Sequence, residues 1–508
     1  MIGIAEALVH SASLIWLVPA LPLAAALLIG GRMLQGVSGD DAEPVTAALA
    51  RGAALGSGLL LLVFLLAALL AGAPGHLLLG NWFAVPGFSV PVSFLLDQTA
   101  LLVAAVVAFI AWVTISFSTA YLHREPRFHR FHFGMSLFLG GMLLIVLAGN
   151  AVLGFVGWEL CGLASWLLIA YADERPRATG NALFAFLCNR VGDAGFLLAI
   201  GLGFWWLGSV EWPVLLGGTL AETVKLRMLL LGLLVAALAK SAQLPFTPWI
   251  TRALEGPTPS SAVFYGAVMV HAGVYLLIRI NPLLQQVPDM AVAVAVAGLA
   301  TALYGWLCGR VSSDVKTSLV LATVVQVGLM VFACGMGWTE MATGHLLLHA
   351  VWRAYQFLLA PSYLVLAPKP LPLSRWLAGN GQLYTAALQR FWIEPLIAAL
   401  LQRPTLLLGQ DVRKLDERVL ERLVGAPDLQ QAAAATEGGG SAGVGGRLLG
   451  WLATHFQRLE SRLVFQNERG GLVGVLQRLG EMIRMLEHLL EQPRYLMLMV
   501  MATFVVIL

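Results

Sequence analysis

Apolar segments of about 20 residues, the length that crosses a bilayer as helix, follow one another almost without pause as far as residue 367 of this chain. Candidates lie near 12–31, 52–72, 95–121, 134–149, 151–172, 180–208, 228–250, 258–281, 290–308, 315–336 and 343–367. In lipid each backbone must satisfy its own hydrogen bonds, so segments of this kind become helices. The expected fold is an all-α polytopic membrane protein of 11–12 transmembrane helices, with broken helices near the charged sites. Only 12% of residues are charged, against about 25% in soluble domains. A net charge of +3, spread thinly, leaves no nucleic-acid footprint. Cys161, Cys188, Cys308 and Cys334 lie singly in apolar segments and read as small core residues, with no CxxC pair. The first stretch, from Ala12, has no basic n-region or clear cleavage site and reads as a retained span.

Between the second and third segments, GNWFAVPGFSVPVSFLLD alternates in polarity and carries Gly/Pro turns, which predicts a surface hairpin. Arg32, Arg51, Arg124, Arg127, Arg130, Arg175, Arg177, Arg252 and Arg310 would fall in inner loops if the N-terminus faces outside. That orientation in a cell inner membrane is the expectation. Residues 1–90 then hold the first spans and the hairpin, and 91–367 a charged core. Residues 368–494 form a cytoplasmic amphipathic-helical region with a Gly-rich linker at 432–446, and 495–508 an apolar anchor. The stretch after 367 holds 15 of the 31 Lys+Arg and 12 of the 28 Asp+Glu, and repeats apolar residues at helical spacing in 411–425 and 472–492.

Ionisable groups inside spans cost about 2.5–3.5 kcal/mol each on insertion scales and mark function by default. Lys240 closes a long apolar run and is followed by Pro245 and Pro248, which withdraw backbone donors and predict a broken helix. Glu159 lies mid-span in FVGWELCGLASWLLIAY. A Glu159–Lys240 pair suits proton transfer, because separating the partners changes the proton affinity of each; a static ion pair between two helices fits the same residues. Arg190 and Asp193, three apart, read as a structural ion pair. His345, His349 and Arg353 form one helical stripe, read as a relay in preference to a metal site because no HExxH glutamate follows. His271 stands alone beside a glycine and reads equally well as structural. His129 and His132 read as solvated or headgroup-facing, and GLGFWWLG (201–208) as helix packing. No nucleophile triad, P-loop or haem motif is found.

Taken together, VSFLLDQTALL, GWELCGLASWLLI, NRVGDAGFLL, LAKSAQLPFTPWI, EGPTPSSAVFYGAVMVHAGVYLL and SDVKTSLVLATVVQVGLM, in this order over about 90–370, resemble one family. It is the antiporter-like proton-conducting family: the L-type subunit of NADH-quinone oxidoreductase, the A subunit of Mrp antiporters, and the membrane subunit of DAB-type inorganic carbon transporters. The resemblance implies proton half-channels along a central hydrophilic axis. It makes Glu159 the key glutamate, Lys240 the switching lysine, Lys316 the lysine of a DIK-like motif, and His345 and His349 the paired histidines of the eleventh helix. His271 joins that pathway. Arg353 stands where the respiratory subunit has lysine, and arginine holds a field but hardly deprotonates. Tyr265 stands where the family has histidine, and counterparts of the family's twelfth to fourteenth spans are not found. The DAB-type resemblance further implies a soluble or peripheral cytoplasmic partner on the C-terminal region, carbonic-anhydrase-like and zinc-containing. This chain itself is expected to need no cofactor and to meet membrane lipids. A respiratory-complex component and a cation/proton antiporter subunit are the alternatives.

Overall fold

The computed structural model describes residues 12–85, 88–217, 223–267, 269–366 and 379–424. The linker at 432–446, the stretch 472–492 and the anchor at 495–508 lie outside them. The chain divides into a first unit through Arg403 and a second from Pro404.

Helices α1 (Leu17–Leu34) and α2 (Glu43–Ala71) lead into the hairpin β1 (Gly75–Val85) and β2 (Phe88–Leu96). Then come α3 (Gln98–Tyr121), α4 (Phe128–Leu147), α5 (Ala151–Ile169), α6 (Pro176–Leu207), the short α7 (Trp212–Gly217) and α8 (Thr223–Lys240). Beyond Lys240 the chain breaks. It resumes as α9 (Pro248–Arg252), then α10 (Thr258–Ser261), a π-helical turn (Ala262–Ala267) and α11 (Met269–Leu284). Helices α12 (Pro288–Arg310), α13 (Val315–Gly335) and α14 (Thr339–Leu366) complete the bundle. After it come α15 (Gly381–Leu388), α16 (Ile393–Ile397) and α17 (Arg403–Val424). The fold is thus the expected polytopic helical one, and each of the eleven apolar segments carries helix.

Among the described residues ten helices are long and apolar enough to cross a membrane, one of them unexpected. Arg390–Arg413 is 24 residues long with mean hydropathy 1.2, inside the region read as cytoplasmic and amphipathic. Arg390 and Glu394 pair at 3.4 Å there, so the charges that break the apolar pattern in the sequence meet each other.

Successive long helices run antiparallel, which sorts the loops into two ends. At one lies the hairpin, registered from Gly75 opposite Leu96 to Val85 opposite Phe88. Glu211 accepts hydrogen bonds there from Ser93 Oγ (2.8 Å) and the His76 ring (2.6 Å). Gly149 N donates to the Ser93 carbonyl at 2.8 Å, and Asp97 caps α3 through Ala100 N at 2.8 Å. At the other end lie the arginines. Arg127 and Arg130 hold Asp173, Arg175 (3.2 Å) and Arg177 (3.8 Å) hold Glu255, and Arg252 holds Glu394 at 2.8 Å. His129 and His132 depart from their solvated reading: both are buried. His129 bonds Thr46 Oγ1 at 2.8 Å, and His132 bonds Ser118 Oγ at 3.1 Å and the Phe128 carbonyl at 2.8 Å. The sequence RFHRFHF hides this because its basic edge is neutralised by acids in the turn between α5 and α6.

The helices meet through small residues, as membrane helices do where no water drives them together. A Cβ on Gly141 would meet the Gly157 carbonyl at 2.9 Å, and one on Gly195 the Gly232 carbonyl at 2.7 Å. Gly298 and Gly328 seat α12 on α13 in the same way: a Cβ on Gly328 would lie 2.6 Å from the Gly298 carbonyl and 2.8 Å from Ala302 N. Backbone atoms cannot yield, so Gly328→Val is expected to destabilise by about 1–3 kcal/mol or more, read as a lowered thermal midpoint in detergent. Gly344→Ala, with nothing within 4 Å of its Cβ, is the control and leaves the midpoint no lower.

Candidate functional site

The site starts where α8 stops. Ala242 takes a left-handed backbone (φ 51°), a conformation that costs an L-residue about 1–2 kcal/mol. Several of the groups at the break find partners. Trp249 Nε1 donates to the Ala239 carbonyl at 2.9 Å, Leu244 N to Thr301 Oγ1 at 3.0 Å, and Gln243 Nε2 to the Ser241 carbonyl at 2.9 Å. Helix α11 fixes the stop from the other side. A Cβ on Gly273 would lie 2.1 Å from the Ala237 carbonyl, and Ser241 Oγ donates to the Val270 carbonyl at 2.7 Å.

The stop leaves Lys240 only 1% exposed. Its Nζ donates to the Trp158 carbonyl at 3.2 Å and sits 4.9 Å from the centre of that indole ring. The expected direct pair with Glu159 is not what the geometry gives. Glu159 bonds Arg190, and Arg190 Nη2 also lies 2.8 Å from Asp193 Oδ2. The physical reason is reach. Arg190 on α6 faces α5 across Gly162, where a Cβ would meet its Nη2 at 2.8 Å and Lys240 Nζ at 3.7 Å. A guanidinium presents several donors in a plane, and so spans two carboxylates. The Arg190–Asp193 pair therefore exists as read, but as part of a three-membered group. Trp158 ties that group to the lysine, because its Nε1 donates to Asp193 Oδ1 at 2.7 Å.

A second chain of polar groups runs on from the break. His271, one residue past the carbonyl that Ser241 holds, contacts His349 (Nε2 to Nδ1, 3.0 Å). Arg353 Nε donates to His349 Nε2 at 3.4 Å, and the His345 ring bonds Gln326 Oε1 at 2.8 Å. His271 is thus brought to the histidine stripe and is not a lone core residue. Tyr265 is buried in the π-helical turn and donates to the Ile250 carbonyl at 2.8 Å. Lys316 stands apart, nearer the arginine end, donating to Thr258 Oγ1 at 2.9 Å; Thr258 meets the Tyr121 hydroxyl at 3.2 Å. Trp158, Gly162, Gln326 and Thr258 were not singled out from sequence. Trp158 and Gly162 carried a signal, since both sit within one turn of Glu159. Gln326 and Thr258 carried none.

A bundle of membrane-length helices built round a buried lysine at a helix break, with carboxylates, arginine and histidines beside it, defines a polytopic membrane protein with an ionisable interior. The chain belongs to the antiporter-like family of membrane subunits. Residues 148–367 match the family "NADH:quinone oxidoreductase/Mrp antiporter, TM", and residues 82–132 match "NADH-Ubiquinone oxidoreductase (complex I), chain 5 N-terminus". NADH-quinone oxidoreductase subunit L of Mycobacterium tuberculosis is 37% identical over 353 residues, 68% of this chain and 54% of that protein. An NAD(P)H-quinone oxidoreductase subunit 5 of Paulinella chromatophora is 34% identical over 69% of this chain and 54% of its own. The chain thus spans about half the length of these relatives. Among solved structures, the Mrp complex from Dietzia sp. DQ12-45-1b superposes with TM-score 0.59 at 28% identity, over 68% of this chain and 37% of that one. An archaeal membrane-bound sulfane sulfur reductase shares the fold, with TM-score 0.60 at 18% identity, over 77% of this chain and 87% of that one.

If Arg190 is the group that neutralises Glu159, removing it strands buried carboxylates. Arg190→Gln is expected to cost about 3–5 kcal/mol, and adding Glu159→Gln to recover part of that loss. A double-mutant cycle on thermal midpoints checks it; additive effects would mean that the two side chains do not interact.

Proposed function

We propose that this chain conducts protons through the membrane and couples their flow to partner subunits. One observation carries the reading: a lysine buried at a helix break, linked through one tryptophan to a guanidinium that two carboxylates share. When Glu159 is ionised, Arg190 is divided between Glu159 and Asp193. A proton arriving on Glu159 removes one claim on the guanidinium and leaves it to Asp193. The field at Lys240 changes with it, because charges a few ångströms apart in a poorly screened interior interact by several kcal/mol. Lys240 thus responds to Glu159 through Arg190 and Trp158, without touching it. His271, His349 and His345, with Lys316 nearer the arginine end, exchange protons with this interior. Arg353 sets a fixed field beside His349.

The arginine-rich end fits the cytoplasmic side of a bacterial inner membrane by the positive-inside tendency, with the hairpin and N-terminus outside. For the partner, the finer reading is a DAB-type inorganic carbon uptake complex with a zinc-containing, carbonic-anhydrase-like subunit. Its support is the family resemblance and the charge-rich sequence after residue 367. The identity to subunit L proteins favours a respiratory assembly as the second reading.

In proteoliposomes of the full-length protein carrying an internal pH dye, Glu159→Gln and Lys240→Ala are each expected to slow proton entry about 100-fold, equivalent to about 2.7 kcal/mol of barrier. Unchanged entry in both variants refutes conduction and leaves a scaffold. Affinity purification from the native host separates the partner readings. Stoichiometric zinc on a large companion subunit is the expected result, whereas iron–sulfur and quinone-binding companions select the respiratory assembly.

A further inference from the structure

The hairpin end holds a second ionisable cluster that the switching group and histidines leave unused. Asp97, at the start of α3, pairs with Arg279 on α11, with Nη2 to Oδ1 at 3.0 Å. Arg279 Nε donates to the Tyr275 hydroxyl at 2.8 Å, and that hydroxyl donates to the Val146 carbonyl at 2.6 Å. Tyr275 is buried, while the Asp97 side chain is 39% exposed. Behind the cluster lies a cavity of about 20 Å³ lined by residues that include Val146, Gly154, Trp158, Tyr275 and Arg279. A water needs about 10–15 Å³ and a few polar partners, so the cavity takes one. Trp158, one of its lining residues, is also the residue whose ring and carbonyl hold Lys240. Trp158 thus borders both the interior amine and the cavity, and Arg279, which lines the cavity, pairs with the partly exposed Asp97.

We propose that Asp97, Arg279 and Tyr275 form the hairpin-face terminus of the proton path, with Trp158 as the shutter between Lys240 and the cavity. The proposal rests on the proton-conducting reading. Trp158 is held shut by its bond to Asp193, whose other partner is Arg190. A proton on Glu159 turns Arg190 wholly toward Asp193, and the carboxylate loosens its hold on the indole. The Lys240 ammonium then gives one proton to a cavity water and becomes a neutral amine. The resulting hydronium passes that proton to the Asp97 carboxylate, which parts from Arg279, and the water is restored. Asp97 releases the proton to the hairpin face and re-forms its pair.

The test uses the full chain in liposomes with its four native cysteines replaced and a single cysteine at Gly154. A Cβ there meets only Ala148 Cβ at 3.7 Å and the Trp212 ring at 3.9 Å. Silver ion, a small thiol-seeking cation, is supplied to one face at a time, and the thiol left unblocked is counted after unfolding. Blocking is expected to be about 10-fold faster from the hairpin face, and faster again in Asp97→Asn, which keeps the helix cap but loses the charge. Equal rates from both faces, or no blocking, overturn the proposal. In the pH-dye assay Asp97→Asn is expected to lower proton entry about 10-fold, and Asp97→Glu to restore it to within about 3-fold. Full entry in Asp97→Asn, with entry lost in Glu159→Gln, overturns this terminus alone. Full entry in Glu159→Gln instead overturns the conduction reading, and the silver sidedness, which needs no flux, still decides whether the cavity opens to the hairpin face.

Discussion

The stop of α8 at Lys240 is the constraint on which the site depends. A helix that continued would seal its own carbonyls in intrahelical bonds. Because it stops, the Ala239 carbonyl takes a donor from outside the helix, Trp249 Nε1, beside the Ala242 N–H, and the chain turns through a left-handed Ala242. The ammonium is left against a backbone carbonyl and an aromatic face. Neither partner carries a charge, so the amine keeps its neighbours whether or not it holds a proton. A full ion pair there would bind the proton too firmly to pass it on.

The spans were legible because lipid permits few structures: length and apolarity alone placed eleven helices, and alternation with Gly/Pro turns placed the hairpin. The break at Lys240 was legible too, since two prolines within eight residues leave the backbone little else to do. Partners were harder. Glu159 and Lys240 are the two charges that stand out along the sequence, so they suggested each other. In space Arg190 intervenes, because the rotation of α6 about its axis, which decides what its guanidinium reaches, is set by Gly162, Gly192 and Gly195 and leaves no trace in local pattern. The burial of His129 and His132 was illegible for a similar reason, Thr46 and Ser118, which bond them, lying on other helices. His271 reads as solitary in sequence and becomes a member of a pair only when α11 and α14 pack.

The two ends of the bundle differ in kind as well as in charge. The hairpin end is tied largely by backbone and neutral side-chain bonds around Ser93, Gly149 and Asn150, with the Asp97–Arg279 pair and the Glu211 carboxylate added to them. The arginine end is tied by ion pairs that join α4 to the α5–α6 turn and the break region to Glu394. Salt weakens exposed ties of the second sort and leaves the first largely alone. The same electrostatic latches reach the segment that leads out of the first unit.

Gly273 carries a consequence for timing. With the α11 backbone pressed on Ala237 and Ser241 at sub-contact distance for any larger residue, these two helices cannot slide past one another without coming apart. If protons pass as proposed, what moves is small: a guanidinium swinging between acids, an indole tilting, an imidazole turning over. Such rearrangements are intrinsically fast, of the nanosecond order where side chains are free. On the proposed reading, the slow step then belongs to the rare arrival of a proton and not to the scaffold that holds the lysine.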